Sequence, residues 1–182
     1  SHLGALHRID PDGQEAAARM VYAGMTSPIN IASTVRLEEG LRSVEDRLSE
    51  ASLLFPVKEK GTSSVRTMVT GSVDFTFRHD GKIYFCDWKT DLLDPQILAS
   101  QHVLDAYLES SDYMTQAKVY TLALVKALRI RDQSAYDVLF GGFVYCYVRY
   151  MAEGAPCSSV YSRLSWDEVQ DFEKSLMTKE AA

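Results

Sequence analysis

Cysteine is scarce in this sequence. Its three residues, Cys86, Cys146 and Cys157, are odd in number and show no Cys-x-x-Cys spacing. They supply neither a disulfide framework nor a zinc site, and reduced, buried thiols fit a cytoplasmic protein. No apolar run approaches the roughly 20 residues of a membrane-spanning helix, and no signal-peptide pattern opens the sequence, so no membrane partner is expected. A Gly-x-x-x-x-Gly-Lys-Ser/Thr loop is also missing, which excludes ATP binding by that device. Positive charge is short as well: 19 Lys and Arg face 25 Asp and Glu, a net charge of −6. Nucleic-acid binding relies on cationic side chains neutralising phosphates, so any DNA-directed role needs metal cations or partner surfaces to help.

What is present is 182 residues with 46% hydrophobic content, enough for one domain with a sizeable core. There is no repeat, low-complexity tract or linker. Asp12 can cap a helix through "GQEAAARMVYAG", with Glu15 three residues on. "TVRLEEGLRSVEDRLSEA" reads as an amphipathic helix and "SLLFPV" as a short strand. "SVRTMVTGSVDFTFR" and "KIYFCDWK" read as strands joined at "HDGK". Residues 96–131 read as two helices meeting near "ESSD", "GGFVYCYVRY" as a strand, and "SWDEVQDFEKSLM" as a closing helix capped by Ser165 with Glu168 at its third position. Strands interleaved with helices imply an α/β domain around one mixed sheet.

The chemistry concentrates in "VTGSVDFTFRHDGKIYFCDWKT", residues 69–90. Asp80-Gly81 is a favoured two-residue hairpin turn. Pairing His79 with Lys82 and counting outward keeps the position sum at 161, which sets Asp74 opposite Asp87. Opposed side chains have Cβ atoms about 4.5–5.5 Å apart. Two carboxylates that close repel, and one is driven to protonate unless a cation lies between them. Lys89 falls on the same face as Asp87. Val73, Phe75 and Phe77 are expected on the other face, with Tyr84, Cys86 and Trp88. Two acids beside a lysine suit phosphodiester hydrolysis with Mg²⁺ or Mn²⁺ as a hard, oxygen-seeking ion. The same spacing also suits plain ion pairing of Asp74 and Asp87 with Lys89 and Arg78.

"GSVD" followed by "DWKT" resembles the Gly-x-x-Asp and Asp-x-Lys signature of the PD-(D/E)XK nucleases. More narrowly, it is similar to the RecB-type nuclease domain at the C-terminus of exonuclease V beta subunits. "GSVDFTFRHDGKIYFCDWKTDLL", "YMTQAKVYTLAL" and "FGGFVYCYVRYM" match segments of that domain in the same order, and the resemblance covers most of the chain. It implies a restriction-endonuclease-like core in which a central mixed β-sheet is flanked by helices. It also implies Asp74, Asp87 and the Trp88 carbonyl as metal ligands, with Lys89 as the catalytic lysine. His7, from "GALH" with Gly4, matches the family's Gly-x-x-His ligand motif. Gln116 and Tyr120 match its Gln-x-x-x-Tyr pair beside the active site. Tyr113 shares their helix face, and Thr90 stands where the family usually has Ser or Thr.

The resemblance further implies a magnesium-dependent deoxyribonuclease in which Mn²⁺ substitutes. Residues 1–182 would form one nuclease domain at the end of a longer helicase–nuclease chain. Its partners would be single- and double-stranded DNA ends, the helicase domain of the parent chain, and the other subunits. Some relatives carry an iron–sulfur cluster held by four cysteines; three are present here, so none is expected. Two other readings keep the fold and change the role: a catalytically silent DNA-guiding module, and a free-standing nuclease.

Overall fold

The computed structural model describes residues 10–44, 46–58 and 65–178. It is an α/β fold built on a five-stranded mixed sheet in the order β3-β4-β5-β6-β7. The strands are β3 (Arg47–Lys58), β4 (Val65–His79), β5 (Lys82–Lys89), β6 (Phe140–Tyr147) and β7 (Ser159–Ser162). β5 and β6 run parallel, and the other neighbouring pairs are antiparallel. The architecture is compatible with a restriction-endonuclease-like core. A parallel pair needs a crossover between its strands. Here the crossover carries α2 (Gln101–Ser110), α3 (Tyr113–Ala127) and α4 (Gln133–Leu139).

The sheet is covered on both faces, which explains why every residue of β6 is buried. On one face Phe85, Phe143, Tyr145 and Tyr147 pack with α2, α3, α4 and the C-terminal α6 (Trp166–Thr178). On the other, Phe75, Phe77, Tyr84, Cys86 and Cys146 pack with α1 (Pro11–Thr26), the β1–β2 hairpin (Ile29–Ala32, Val35–Leu37) and α5 (Val148–Glu153). Phe85 and Phe143 stack at 5.3 Å between centroids. Burying each such ring contributes about 1.5–3 kcal/mol.

Several sequence expectations change. The cap of α1 is Asp10, not Asp12: the Asp10 carboxylate accepts the Gly13 N–H at 2.7 Å, and Pro11 occupies the first helical position, where it lacks no needed donor. The described residues of 34–51 do not form an α-helix. They make β2, a short 3₁₀ turn (Gly40–Ser43) and the first part of β3. Pairing with β4 from Arg47↔Phe77 onward outweighs the helical spacing. Gly40 breaks any helix there with φ +65°, and a Cβ on it would meet the Ser27 carbonyl oxygen at 2.5 Å. The strand expected to run to Tyr150 ends at Tyr147 and turns into α5. The closing helix is capped as expected. Ser165 Oγ accepts the Glu168 N–H at 3.2 Å, and the Glu168 carboxylate accepts the Ser165 N–H at 2.7 Å.

Candidate active site

The β4–β5 hairpin turns at Asp80 and Gly81, both in the left-handed region. The sum of 161 holds from His79↔Lys82 to Phe75↔Cys86, where the ladder's assigned pairs end. At the next position the Asp74 carboxylate accepts the backbone N–H of Trp88 at 2.8 Å. Side-chain alternation along β4 also breaks here. Val73 joins the core on the α3 side, whereas Phe75 joins the core on the α1 side. The expectation of one shared face for Val73, Phe75 and Phe77 is therefore corrected. The irregularity is shared by β3, where Glu50 lies across from this point with φ +55°.

Asp74 lines a cleft of about 610 Å³ between α1 and the sheet, together with Met20, Gly24, Glu50, Trp88 and Thr90. A Cβ on Gly24 would lie 3.3 Å from the Trp88 ring, so the glycine lets α1 pack directly on that indole. The motif glycine Gly71 has a similar function. A Cβ there would be 3.0 Å from the Tyr120 ring, so "GSVD" leaves room for the tyrosine of the Gln-x-x-x-Tyr pair.

Asp87 and Lys89 are buried on the α3 side. The Lys89 ammonium lies 2.6 Å from the Asp87 carboxylate, and the two side chains are only 6–8% exposed. Burial raises the Asp87 carboxyl above the ordinary aspartate value, the Lys89 contact pulls it back down, and the charge on Asp74 adds to the rise. Lys89 also donates to Gln116 Oε1 at 2.7 Å, and Gln116 Nε2 donates to the Tyr120 hydroxyl at 3.1 Å. Asp87, Lys89, Gln116 and Tyr120 thus form one connected group, tied to Asp74 through the Trp88 backbone. Of the simple ion pairs, Asp87–Lys89 forms, while Arg78 pairs with Asp46 at 3.6 Å. His7 and Gly4 lie outside the described residues.

Two further members were not singled out by spacing. Tyr145 is the register partner of Asp87 on the parallel strand β6, a pairing no local pattern reveals. Asp91 accepts the Tyr113 hydroxyl at 2.6 Å; its position two residues past Lys89 was the available clue.

Among the described residues no three His, Cys, Asp or Glu side chains group closely enough to hold a metal ion. The donors present still suit Mg²⁺, which takes one or two carboxylates and keeps several waters. Asp74 uses a carboxylate oxygen on Trp88, and Asp87 is a buried acid whose ionised form gains from an added cation.

No protein-family model matches the chain. It is 34% identical over 100 residues to the RecBCD enzyme subunit RecB of Escherichia coli, covering 54% of this chain and 8% of that protein. It is 36% identical over 99 residues to RecB of Haemophilus influenzae, covering 53% and 8%. It is 30% identical over 92 residues to RecB of Borreliella burgdorferi, covering 48% and 7%. About half of the chain, rather than most of it, is therefore a RecB-related region, and the chain spans under a tenth of these relatives' length.

Proposed function

We propose that this chain is a RecB-type nuclease domain that hydrolyses DNA phosphodiester bonds with Mg²⁺, Mn²⁺ substituting. In this reading residues 1–182 are one domain at the C-terminal end of a longer cytoplasmic helicase–nuclease. It acts with the parent chain's helicase domain and other subunits on single- and double-stranded ends in recombinational repair. The observation that carries the reading is the buried Lys89–Asp87 pair joined to Asp74 through one backbone N–H, in a chain about half of which is similar to RecB. A lysine and an acid buried together beside a second, half-buried acid are costly without a use for them.

Asp74, Asp87 and the Trp88 carbonyl would hold the cation, with His7 as a further ligand. When bound, Mg²⁺ supplies charge neutralisation at phosphoryl oxygens and acidifies water. Lys89 orients the attacking water or offsets charge developing on the phosphate. Gln116 holds the ammonium from the helix side, Tyr120 fixes the Gln116 amide, and Thr90 presents a hydroxyl at the cleft. The acidic net charge places part of the DNA attraction on the cation and on the partner subunits.

Calorimetric titration with Mn²⁺ separates an active site from a silent module. The chain should bind Mn²⁺, and Asp74→Ala and Asp87→Ala should each abolish the heat. Absence of binding by the unaltered chain, or unchanged binding in both variants, would overturn the assignment.

A further inference from the structure

The surroundings of Lys89 include two aromatic rings for which the metal-and-lysine reading has no role. Its ammonium lies 3.9 Å from the Tyr113 ring centroid and 4.6 Å from that of Tyr145. With Asp87 at 2.6 Å and Gln116 at 2.7 Å, four groups surround one nitrogen. The rings are themselves held. Tyr113 donates its hydroxyl to Asp91. The Tyr145 hydroxyl lies 2.9 Å from the Tyr113 carbonyl oxygen and 3.1 Å from Gln116 Oε1, and the two rings sit 5.6 Å apart. Three separately placed parts of the fold build the enclosure: the end of β5 with the loop at Asp91, α3 and β6.

We propose that Tyr113, fixed by Asp91, and Tyr145 are positioning residues that keep the Lys89 ammonium in place when Asp87 is engaged by the metal. The inference rests on the nuclease reading for its purpose and on the geometry for its content. An ammonium donates three hydrogen bonds and accepts none. Two of its directions go to Asp87 and Gln116, and the rings of Tyr113 and Tyr145 flank the rest of it. Asp87 is asked to serve a cation as well as Lys89. A buried ammonium that depended on that carboxylate alone would be left unpaired whenever the carboxylate turned away. The faces of two tyrosines attract the charge without competing for the metal, because they carry no formal charge and no metal-ligating atom points from them. The enclosure therefore separates two tasks that otherwise fall on one carboxylate.

Two measurements on the 182-residue chain test this. Side-chain NMR reads the enclosure directly, since ring faces shift the Lys89 ε-methylene protons upfield. That shift should persist in Tyr113→Phe, which keeps the ring, and shrink in Tyr113→Leu. Kinetics reads its consequence. Tyr113→Leu should lower kcat roughly tenfold with KM within about twofold, the size of a partly desolvated cation–ring contact. Tyr113→Phe should recover most of the loss. Asp91→Ala should lower kcat no more than Tyr113→Phe does and have little further effect in that variant, because it acts through the hydroxyl. An ε-methylene resonance indifferent to Tyr113→Leu, or a Phe variant as impaired as the Leu variant, would overturn the proposal. Retained hydrolysis in Lys89→Ala would instead remove the nuclease reading, and the resonance shift would still report on the enclosure.

Discussion

At the residue scale, the Asp87–Lys89 pair decides most of the behaviour expected of the site. Both side chains are almost fully buried, so removing one leaves the other's charge in a poorly solvated place. Asp87→Ala should destabilise the metal-free chain by about 3 kcal/mol in urea denaturation. Converting the stranded lysine as well, in Asp87→Ala/Lys89→Met, should recover most of that loss. A single variant as stable as the unaltered chain would mean that Gln116 and the two tyrosines suffice for the ammonium. The pair was legible in the sequence, because residues two apart on a strand share a face. The register of the hairpin was legible from His79↔Lys82 to Phe75↔Cys86, and the expected Asp74–Asp87 pair falls just past the last assigned pair. The carboxylate of Asp74 turned out to serve the Trp88 N–H, a local hydrogen bond that the alternation of apolar residues does not encode. Tyr145 was not legible, since a parallel partner 58 positions along the chain is set by the crossover and not by nearby residues.

At the element scale, small residues mark where elements approach closely. A Cβ at Gly141 would fall 2.1 Å from Tyr84 Cζ. Gly141→Ala should therefore cost about 2–3 kcal/mol through overpacking between β5 and β6, measured as a lower urea midpoint at unchanged slope. Gly71→Ala asks the Tyr120 ring to give by only a few tenths of an ångström. It should lower activity more than stability, because that ring holds Gln116. The cap of α6 supplies a pH test. Hydrogen bonds from the Ser165 backbone and hydroxyl lower the Glu168 carboxyl below its ordinary 4.5. A depressed carboxylate contributes stability above its unfolded value and loses it as pH falls through the folded one. The last helix should thus begin to fray below about pH 4.5; Ser165→Ala should remove only the hydroxyl's share of that pH dependence, and Glu168→Gln should remove it whole, as read by amide exchange. This capping pattern was visible in the sequence, as was the Asp-Gly hairpin, because both depend on neighbouring residues alone. Of β3 only "SLLFPV" was: the helical spacing of residues 47–51 is local, whereas the long pairing with β4 that overrides it is not.

At the scale of the whole molecule, the sheet explains the placement of the chemistry. β5 carries Asp87, Trp88 and Lys89 between β4, which supplies Asp74, and β6, which supplies Tyr145. α3 covers one face with Gln116, Tyr120 and Tyr113, and α1 covers the other to form the cleft that Asp74 lines. Three segments distant in sequence thus converge on one lysine; the contributions of β5 and α3 were readable beforehand, and that of β6 was not. The net charge of −6 means that DNA engagement should depend strongly on divalent cation concentration. The central claim is that Lys89 and its two acids hydrolyse DNA. Its most direct test is Mg²⁺-dependent cleavage of end-labelled linear DNA by the unaltered chain beside Lys89→Ala. Cleavage should need Mg²⁺ and should fall by roughly a hundredfold or more in the variant. Equal cleavage by the two proteins would contradict it.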